Sequence, residues 1–233
     1  MIQFRRSYHS AYLISILSGL LVLVSCSRDG ENGTVHDIDG NIYMTVRIGD
    51  QVWMAENLRT TRLRDNTPIN EVTDRLEWYN ASEPAYCWYD NDSEGKTKGY
   101  GVLYNYYTIN TEKLCPEGWR IPADEDFQIL IEKFDREADF TRHEISTIAG
   151  GYLKTDDAIK LQSTSAVTIG KNVFSALTGG CRSFEGDFSQ FGSIGYFAGA
   201  KNKSLSIRVG TSSAYYNNSV SSYVGVSVRC IKQ

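Results

Sequence analysis

From Ser10 to Ser25 the chain carries no charge and is rich in Leu, Ile and Val, with Arg5 and Arg6 just ahead of it. Such a run is short for a bilayer span and ends on small residues, so the pattern predicts a cleaved export signal over 1–25. Polarity then reverses. Ser27-Arg-Asp-Gly-Glu-Asn-Gly33 has nothing to bury and reads as a polar tether over 26–34. From Val35 a period of two takes over. Asp39-Gly40 marks a tight turn, after which Ile42, Met44, Val46 and Ile48 fall on one face and Tyr43, Thr45 and Arg47 on the other. Gly49-Asp50 turns the chain into Gln51-Val-Trp-Met54, which predicts a hairpin or meander. Residues 55–85 are mixed and polar, with Pro68 and Pro84, and read as a long irregular connection.

The pattern changes to a helical period once. Pro122 stands at the entry, and Asp124, Glu125 and Asp126 crowd a first turn whose dipole favours negative charge, with Asp124 available as N-cap. Phe127, Leu130, Ile131 and Phe134 then recur at i, i+3, i+4 and i+7, a single apolar stripe. The spacing predicts a main helix over about 124–135. Beyond Gly150-Gly151, glycines punctuate short apolar runs to the end, so regular structure there is β. No fixed-period repeat is present. The fold class is α+β, turn-rich antiparallel β with one main helix, in one domain over 35–233.

Composition narrows the compartment. Removing Arg5 and Arg6 with the signal takes two cations away and shifts the formal net charge from −4 to −6. An acidic, unclustered surface argues against nucleic acid as a partner. Cysteines number five, an odd count that asks for an explanation in an exported chain. Leu23-Val24-Ser25-Cys26 resembles a lipoprotein signal, which implies acylation of Cys26 as the mature N-terminus and membrane attachment through lipid. The acidic residues after it resemble signals that carry lipoproteins to the outer surface of an outer membrane; the periplasm-facing leaflet is the alternative. Cys87, Cys115, Cys181 and Cys230 remain, an even set in an oxidising compartment, with three pairings open.

Further blocks carry a family likeness. Ile48-Gly-Asp-Gln-Val-Trp-Met-Ala-Glu-Asn-Leu58, Ala85-Tyr-Cys-Trp-Tyr-Asp-Asn-Asp92, Tyr100-Gly-Val-Leu-Tyr-Asn105 and Leu114-Cys-Pro-Glu-Gly-Trp-Arg-Ile-Pro122 resemble, in order, the Fibrobacter succinogenes major paralogous domain. Gly150-Gly-Tyr-Leu-Lys154, Phe174-Ser-Ala-Leu-Thr-Gly-Gly180 and Gly225-Val-Ser-Val-Arg-Cys230 continue the likeness, which spans about 35–231. That family brings no established activity. Trp119-Arg-Ile-Pro-Ala-Asp-Glu-Asp-Phe127 is also similar to the block that opens a helix in formylglycine-generating-enzyme domains. This second likeness implies a C-type-lectin-like fold, its two ends joined in one sheet and closed by a Cys115–Cys230 disulfide, with Cys87 and Cys181 left as a second pair. Gly195-Tyr-Phe-Ala-Gly-Ala200 departs from the aromatic segment usual there, and Ala123 from the usual serine.

Candidate chemistry is sparse. His36 and His143 are the histidines beyond the signal, and no Gly-x-Ser-x-Gly, His-Glu-x-x-His or phosphate-cradling loop is present, so no enzyme and no cofactor are expected. Asp90, Asp92 and Glu94 imitate the first half of a calcium loop, but the twelfth position is Gly101 where an EF-hand requires Glu. Aromatics supply 28 of 233 residues, many adjacent, and exposed rings suit sugar faces or protein partners. Trp53, Trp119, Phe127 and Phe174 are expected in the core; Trp88, Tyr89, Tyr104, Tyr107 and Tyr216 are the candidate ligand-binding rings. The expected function is a lipid-anchored, non-catalytic envelope protein that binds extracellular glycan or, alternatively, contacts other envelope proteins.

Overall fold

The computed structural model describes residues 33–93, 98–154, 174–217 and 224–233. The expected signal, the expected tether to residue 32 and Cys26, the expected lipidation site, lie outside the described residues, and no helix among those described is long and apolar enough to cross a membrane. In chain order the first half runs β1 (Thr34–His36), β2 (Ile42–Ile48), β3 (Gln51–Met54), β4 (Asn70–Glu71), α1 (Arg75–Tyr79), β5 (Ala85–Cys87), β6 (Leu103–Tyr104) and α2 (Tyr106–Ile109). Next come β7 (Trp119–Arg120), α3 (Asp124–Glu132), β8 (Glu144–Ser146) and α4 (Ala149–Leu153). The last part is β9 (Gly179–Arg182), β10 (Phe188–Phe191), β11 (Ile194–Gly199), β12 (Lys203–Arg208), β13 (Ala214–Asn217) and β14 (Ile231–Lys232).

Three sheets result, mostly antiparallel, with orders β1-β2-β3-β14-β7, β10-β9-β11-β12-β13-β8 and β4-β5-β6. The expected meander is present, because the turns at Gly40 and Gly49 take the left-handed backbone that glycine adopts without steric cost. The first sheet also joins the two ends of the chain. Ile231 of β14 lies opposite both Trp53 and Arg120, and Cys115 is bonded to Cys230 next door, their Cα atoms 5.9 Å apart.

The apolar face expected for β2 is split. Val46 and Ile48 are buried, but Ile42 and Met44 are each 51% exposed, while Tyr43 and Thr45 on the other face are buried. The reason is that the first sheet lies between two cores and reaches only part of each. Val46, Ile48 and Trp53 pack with Phe127, Leu130 and Ile131 of α3 and with Leu205 and Ile207 of β12. Tyr43 and Met54 pack on the opposite side with Leu58, Leu63, Tyr104, Tyr106 and the disulfide. Trp53, Trp119, Phe127 and Phe174 are all buried, as expected.

Helix α3 begins where expected and ends slightly early, at Glu132 with Lys133 as C-cap. Its stripe is core: Phe127, Leu130 and Ile131 are fully buried and Phe134 packs at the margin. Asp124 is not the N-cap. Ala123 holds that position, and its free N–H donates to the Asp126 carboxylate at 2.7 Å. Asp124, one residue on, instead receives the Tyr216 hydroxyl at 2.6 Å and the Lys203 ammonium. The 55–85 connection is largely irregular but includes β4 and α1, the latter capped by Asp74, whose carboxylate accepts from Leu76 N and Glu77 N. Helix α4 was unforeseen because two glycines, Gly150 and Gly151, follow its first residue, Ala149. A Cβ at Gly150 would lie 2.1 Å from the Ser213 carbonyl oxygen, so close packing explains the glycine.

Among the described residues, the guanidiniums of Arg182 and Arg229 lie in the interior, their hydrogen bonds going to carbonyl oxygens rather than to carboxylates. Arg229 donates to Asn57 Oδ1 at 2.8 Å, to the Ser175 carbonyl at 2.8 Å and to the Phe174 carbonyl, with the Phe174 and Phe197 rings on its faces. Burial pushes its pKa down to about 9, still charged at neutral pH. Arg182 donates to the carbonyls of Gly186, Val72, Thr73 and Asp74, between the Trp78 and Phe188 rings. Each guanidinium fastens loop backbone to the sheets, satisfying carbonyls that would otherwise be buried without donors.

Candidate functional site

A surface cluster of rings gathers around Tyr89. Phe188 and Phe191 lie 5.2 and 4.7 Å from it, and Tyr100 lies 4.8 Å from Phe191. All four are half-buried. Phe188 and Phe191 sit three apart in β10, where strict alternation would send them to opposite faces. Gln190 between them has φ 64°, and this left-handed residue breaks the alternation, so both rings reach Tyr89. Gly180 completes the arrangement. Its φ is +68°, and a Cβ there would meet Ser189 O at 2.4 Å and the Tyr89 ring at 2.8 Å. Arg182 underlies the cluster, its guanidinium 4.8 Å from the Phe188 ring. Asp90 and Asn91, both at φ 54°, form an exposed polar rim.

Only part of the expected ring set is brought together here. Trp88 and Tyr89 point into different surroundings, Trp88 against the core that holds Tyr43 and Tyr89 against the small cluster of Trp78, Ala85, Cys87 and Leu103. Tyr104 is no surface ring: it is fully buried and its hydroxyl donates to the Thr60 carbonyl at 2.8 Å. Tyr216 is also core, 5% exposed, with its hydroxyl on Asp124. Tyr107 is half-buried on α2. Tyr100, Phe188 and Phe191 were not among the expected binding rings, and nothing in Phe188-Ser-Gln-Phe191 signals the left-handed Gln190.

The second pair of cysteines does not form a bridge. Cys87 and Cys181 are free thiols. Cys87 lies beside Arg182, while Cys181 approaches Ser189 Oγ at 3.5 Å on β10. Arg182 and Cys181 are consecutive in β9 and project to opposite faces, so the thiols are on different sides of the strand. Burial pushes the Cys87 thiol up to about 12 and raises that of Cys181 as well. For the weak calcium candidate, Glu94 lies outside the described residues, and among those described no group of His, Cys, Asp or Glu could hold a metal ion.

A cleft of about 720 Å³ lies apart from the ring cluster, lined by Arg64, by Ile109, Asn110 and Glu112 at and after the end of α2, by Arg120, Ile121 and Ala123 ahead of α3, by Ala200 and Lys201, and by Gln233. Ile109, Ile121, Ala123 and Ala200 make apolar ground, and Arg64, Arg120 and Lys201 bring positive charge against the single acidic side chain of Glu112. Arg120 is held in a two-pronged pair by Asp126, at 2.5 and 2.9 Å, and this pair keeps the guanidinium pKa above its ordinary value.

The model of the Fibrobacter succinogenes major domain matches residues 46–232, and the chain belongs to that family. No curated protein and no solved structure matches the chain.

Proposed function

We propose that this family member is a non-catalytic, lipid-anchored envelope protein whose C-type-lectin-like domain binds glycan at the ring cluster of Tyr89, Tyr100, Phe188 and Phe191. The carrying observation is that cluster: four half-buried rings from three separated segments, rimmed by Asp90 and Asn91. Flat apolar faces beside polar side chains match the amphipathic surface of a sugar ring. The lectin-like reading is supported by the meeting of both chain ends in one sheet beside the Cys115–Cys230 bridge. The non-catalytic reading is supported by the histidines: His36 is on an exposed edge strand, and His143 Nε2 is engaged by Asn217 Oδ1 at 2.8 Å. The anchor reading rests on Cys26 and places the protein on an outer membrane, surface-exposed or facing the periplasm.

A glycan array on the purified chain tests the site. Binding should be retained by Leu76→Ala and lost by Tyr89→Ala and Phe191→Ala, with circular dichroism checking that both fold. The envelope-protein reading has its own support in Leu76, Tyr79 and Phe184, which are 69%, 51% and 42% exposed. The Tyr79 and Phe184 rings lie 6.5 Å apart, and an apolar group of this kind suits a protein partner. An empty array, with envelope cross-links abolished by Phe184→Ser, would replace the glycan reading by that one. Cys26→Ala should move the protein from the membrane to the soluble fraction; retention in the membrane would refute lipid anchoring.

A further inference from the structure

We propose that the cleft between Arg64, Arg120 and Lys201 is a second binding site, for a small saccharide carrying an oxyanion. Its residues share no member with the ring cluster, so it stands or falls independently of that reading. Three observations carry it. The chain as a whole is acidic, at −4, yet three cations line one concavity in which Glu112 is the one acidic side chain of the lining. Arg120 is paired with Asp126 and Lys201 feels Asp124, so Arg64 brings the least compensated charge. Of these, Arg64 has only a 4.0 Å contact with Glu117, whose side chain is 96% exposed and wet, so its charge is scarcely neutralised. The cleft's size lies within the range of small-ligand sites, and its apolar ground of Ile109, Ile121, Ala123 and Ala200 suits the carbon face of a sugar ring.

The cations are also held ready. Arg120 spends three N–H groups on Asp126 and the Ile121 carbonyl, which leaves Nε and one hydrogen of Nη2 available while the plane of the group is fixed. Lys201 is set in the left-handed region, φ 58°, where glycine or asparagine would be cheaper. Its turn is tied to the opposite wall, Asn110 Nδ2 donating to Asn202 Oδ1 at 3.1 Å and the Tyr106 hydroxyl to the Lys203 carbonyl. Glu112, on that wall, is left-handed too. Lys201 and Asn202, both at φ 58°, form the turn of the β11–β12 hairpin, and the cross-ties hold that turn, and Lys201 with it, against the opposite wall. Carboxylate and phosphate share this chemistry, and a neutral sugar lacks it.

The test is calorimetric titration of the full chain in detergent with trigalacturonic acid, glucose 6-phosphate and, as the neutral arm, cellotriose. One of the two anionic ligands should bind, more weakly as salt rises, and which of them binds separates a carboxylate from a phosphate source. Lys201→Gly should leave the melting temperature unchanged or raise it, because it relieves the left-handed strain, yet weaken binding about tenfold. Arg64→Gln should weaken it similarly, and Arg47→Gln, at an exposed position of β2, should not. Equal binding of cellotriose, no binding by either anion at low salt, or unchanged affinity in Lys201→Gly would overturn the proposal.

Discussion

Arg229 offers the sharpest test of how this domain holds together. It is 1% exposed, and its guanidinium supplies hydrogen bonds to Asn57 Oδ1 and to the carbonyls of Phe174 and Ser175. Replacing it with Met keeps similar bulk and removes every donor. Three buried acceptors are then orphaned, at about 1–3 kcal/mol each, or about 3–9 kcal/mol together. Two stacking contacts with Phe174 and Phe197 go as well, each on the order of 1–2 kcal/mol where water is excluded. Against this stands the desolvation of the charge itself, several kcal/mol, which the Met variant no longer bears. Burial, partly offset by the Glu56 carboxylate, depresses the Arg229 pKa to about 9, a sign that this opposing contribution is large. The difference leaves a net loss of about 3 kcal/mol, a large part of the 5–15 kcal/mol typical of a domain. Urea unfolding with the disulfide intact would measure it. Arg229→Lys should recover little, since one ammonium cannot span three acceptors in different directions. A Met variant as stable as the parent would refute the argument, because the guanidinium would then be a net burden that the carbonyls only mitigate.

Leu130→Ala should cost about 2–5 kcal/mol, since Leu130 is fully buried. Gln128→Ala, on the exposed face, should lose only the i,i+4 contact to Glu132, about 0.2–0.5 kcal/mol, and equal melting temperatures would make α3 peripheral. Alkylation followed by peptide mapping should find Cys87 and Cys181 free, with Cys87 reacting only after unfolding; a Cys87–Cys181 peptide would overturn the assignment of free thiols. Asp124 feels burial, which raises its pKa, but hydrogen bonds from Lys203 and Tyr216 outweigh this and hold it below the ordinary 3.8. A depressed carboxylate stabilises the fold fully above its unfolded value and loses that contribution as pH falls through the folded value. Tyr216→Phe should therefore narrow the gap in stability between pH 6 and pH 2; an unaltered pH profile would show that the hydroxyl does not matter.

What the sequence made legible was local or periodic. The 3.6-residue stripe from Phe127 to Phe134 needs one neighbour to be meaningful, and it correctly located α3. The Cys115–Cys230 pair and the meeting of the chain ends came through family likeness, which carries long-range information that period and propensity lack. The misreadings share a cause. Ile42 and Met44 alternate properly with Tyr43, but which face is covered depends on segments far along the chain, and Tyr43 meets Asp37 and Arg59 while Ile42 meets solvent. Tyr104, a candidate binding ring, is core instead, because its hydroxyl reaches the Thr60 carbonyl 44 residues away, a partner that no local pattern points to. Neither the ring cluster nor the cationic cleft has a motif at all. Each is assembled by turns that place Gln190 and Lys201 in backbone conformations their residue types do not announce.

The position of β14 also sets a timetable. This strand, residues 231–232, fills the space between β3 and β7, and Trp53 of β3 is made well before it. At about 5–20 residues per second, synthesis leaves β3 waiting about 10–35 s for its partner. Through that interval the first sheet lacks an interior strand and keeps an open edge, although β4, β5 and β6 of the three-stranded sheet are already made and can pair. The joining of β3 to β7 is therefore a late step, and whatever keeps the exposed edge of β3 from pairing wrongly in the meantime protects the whole first sheet.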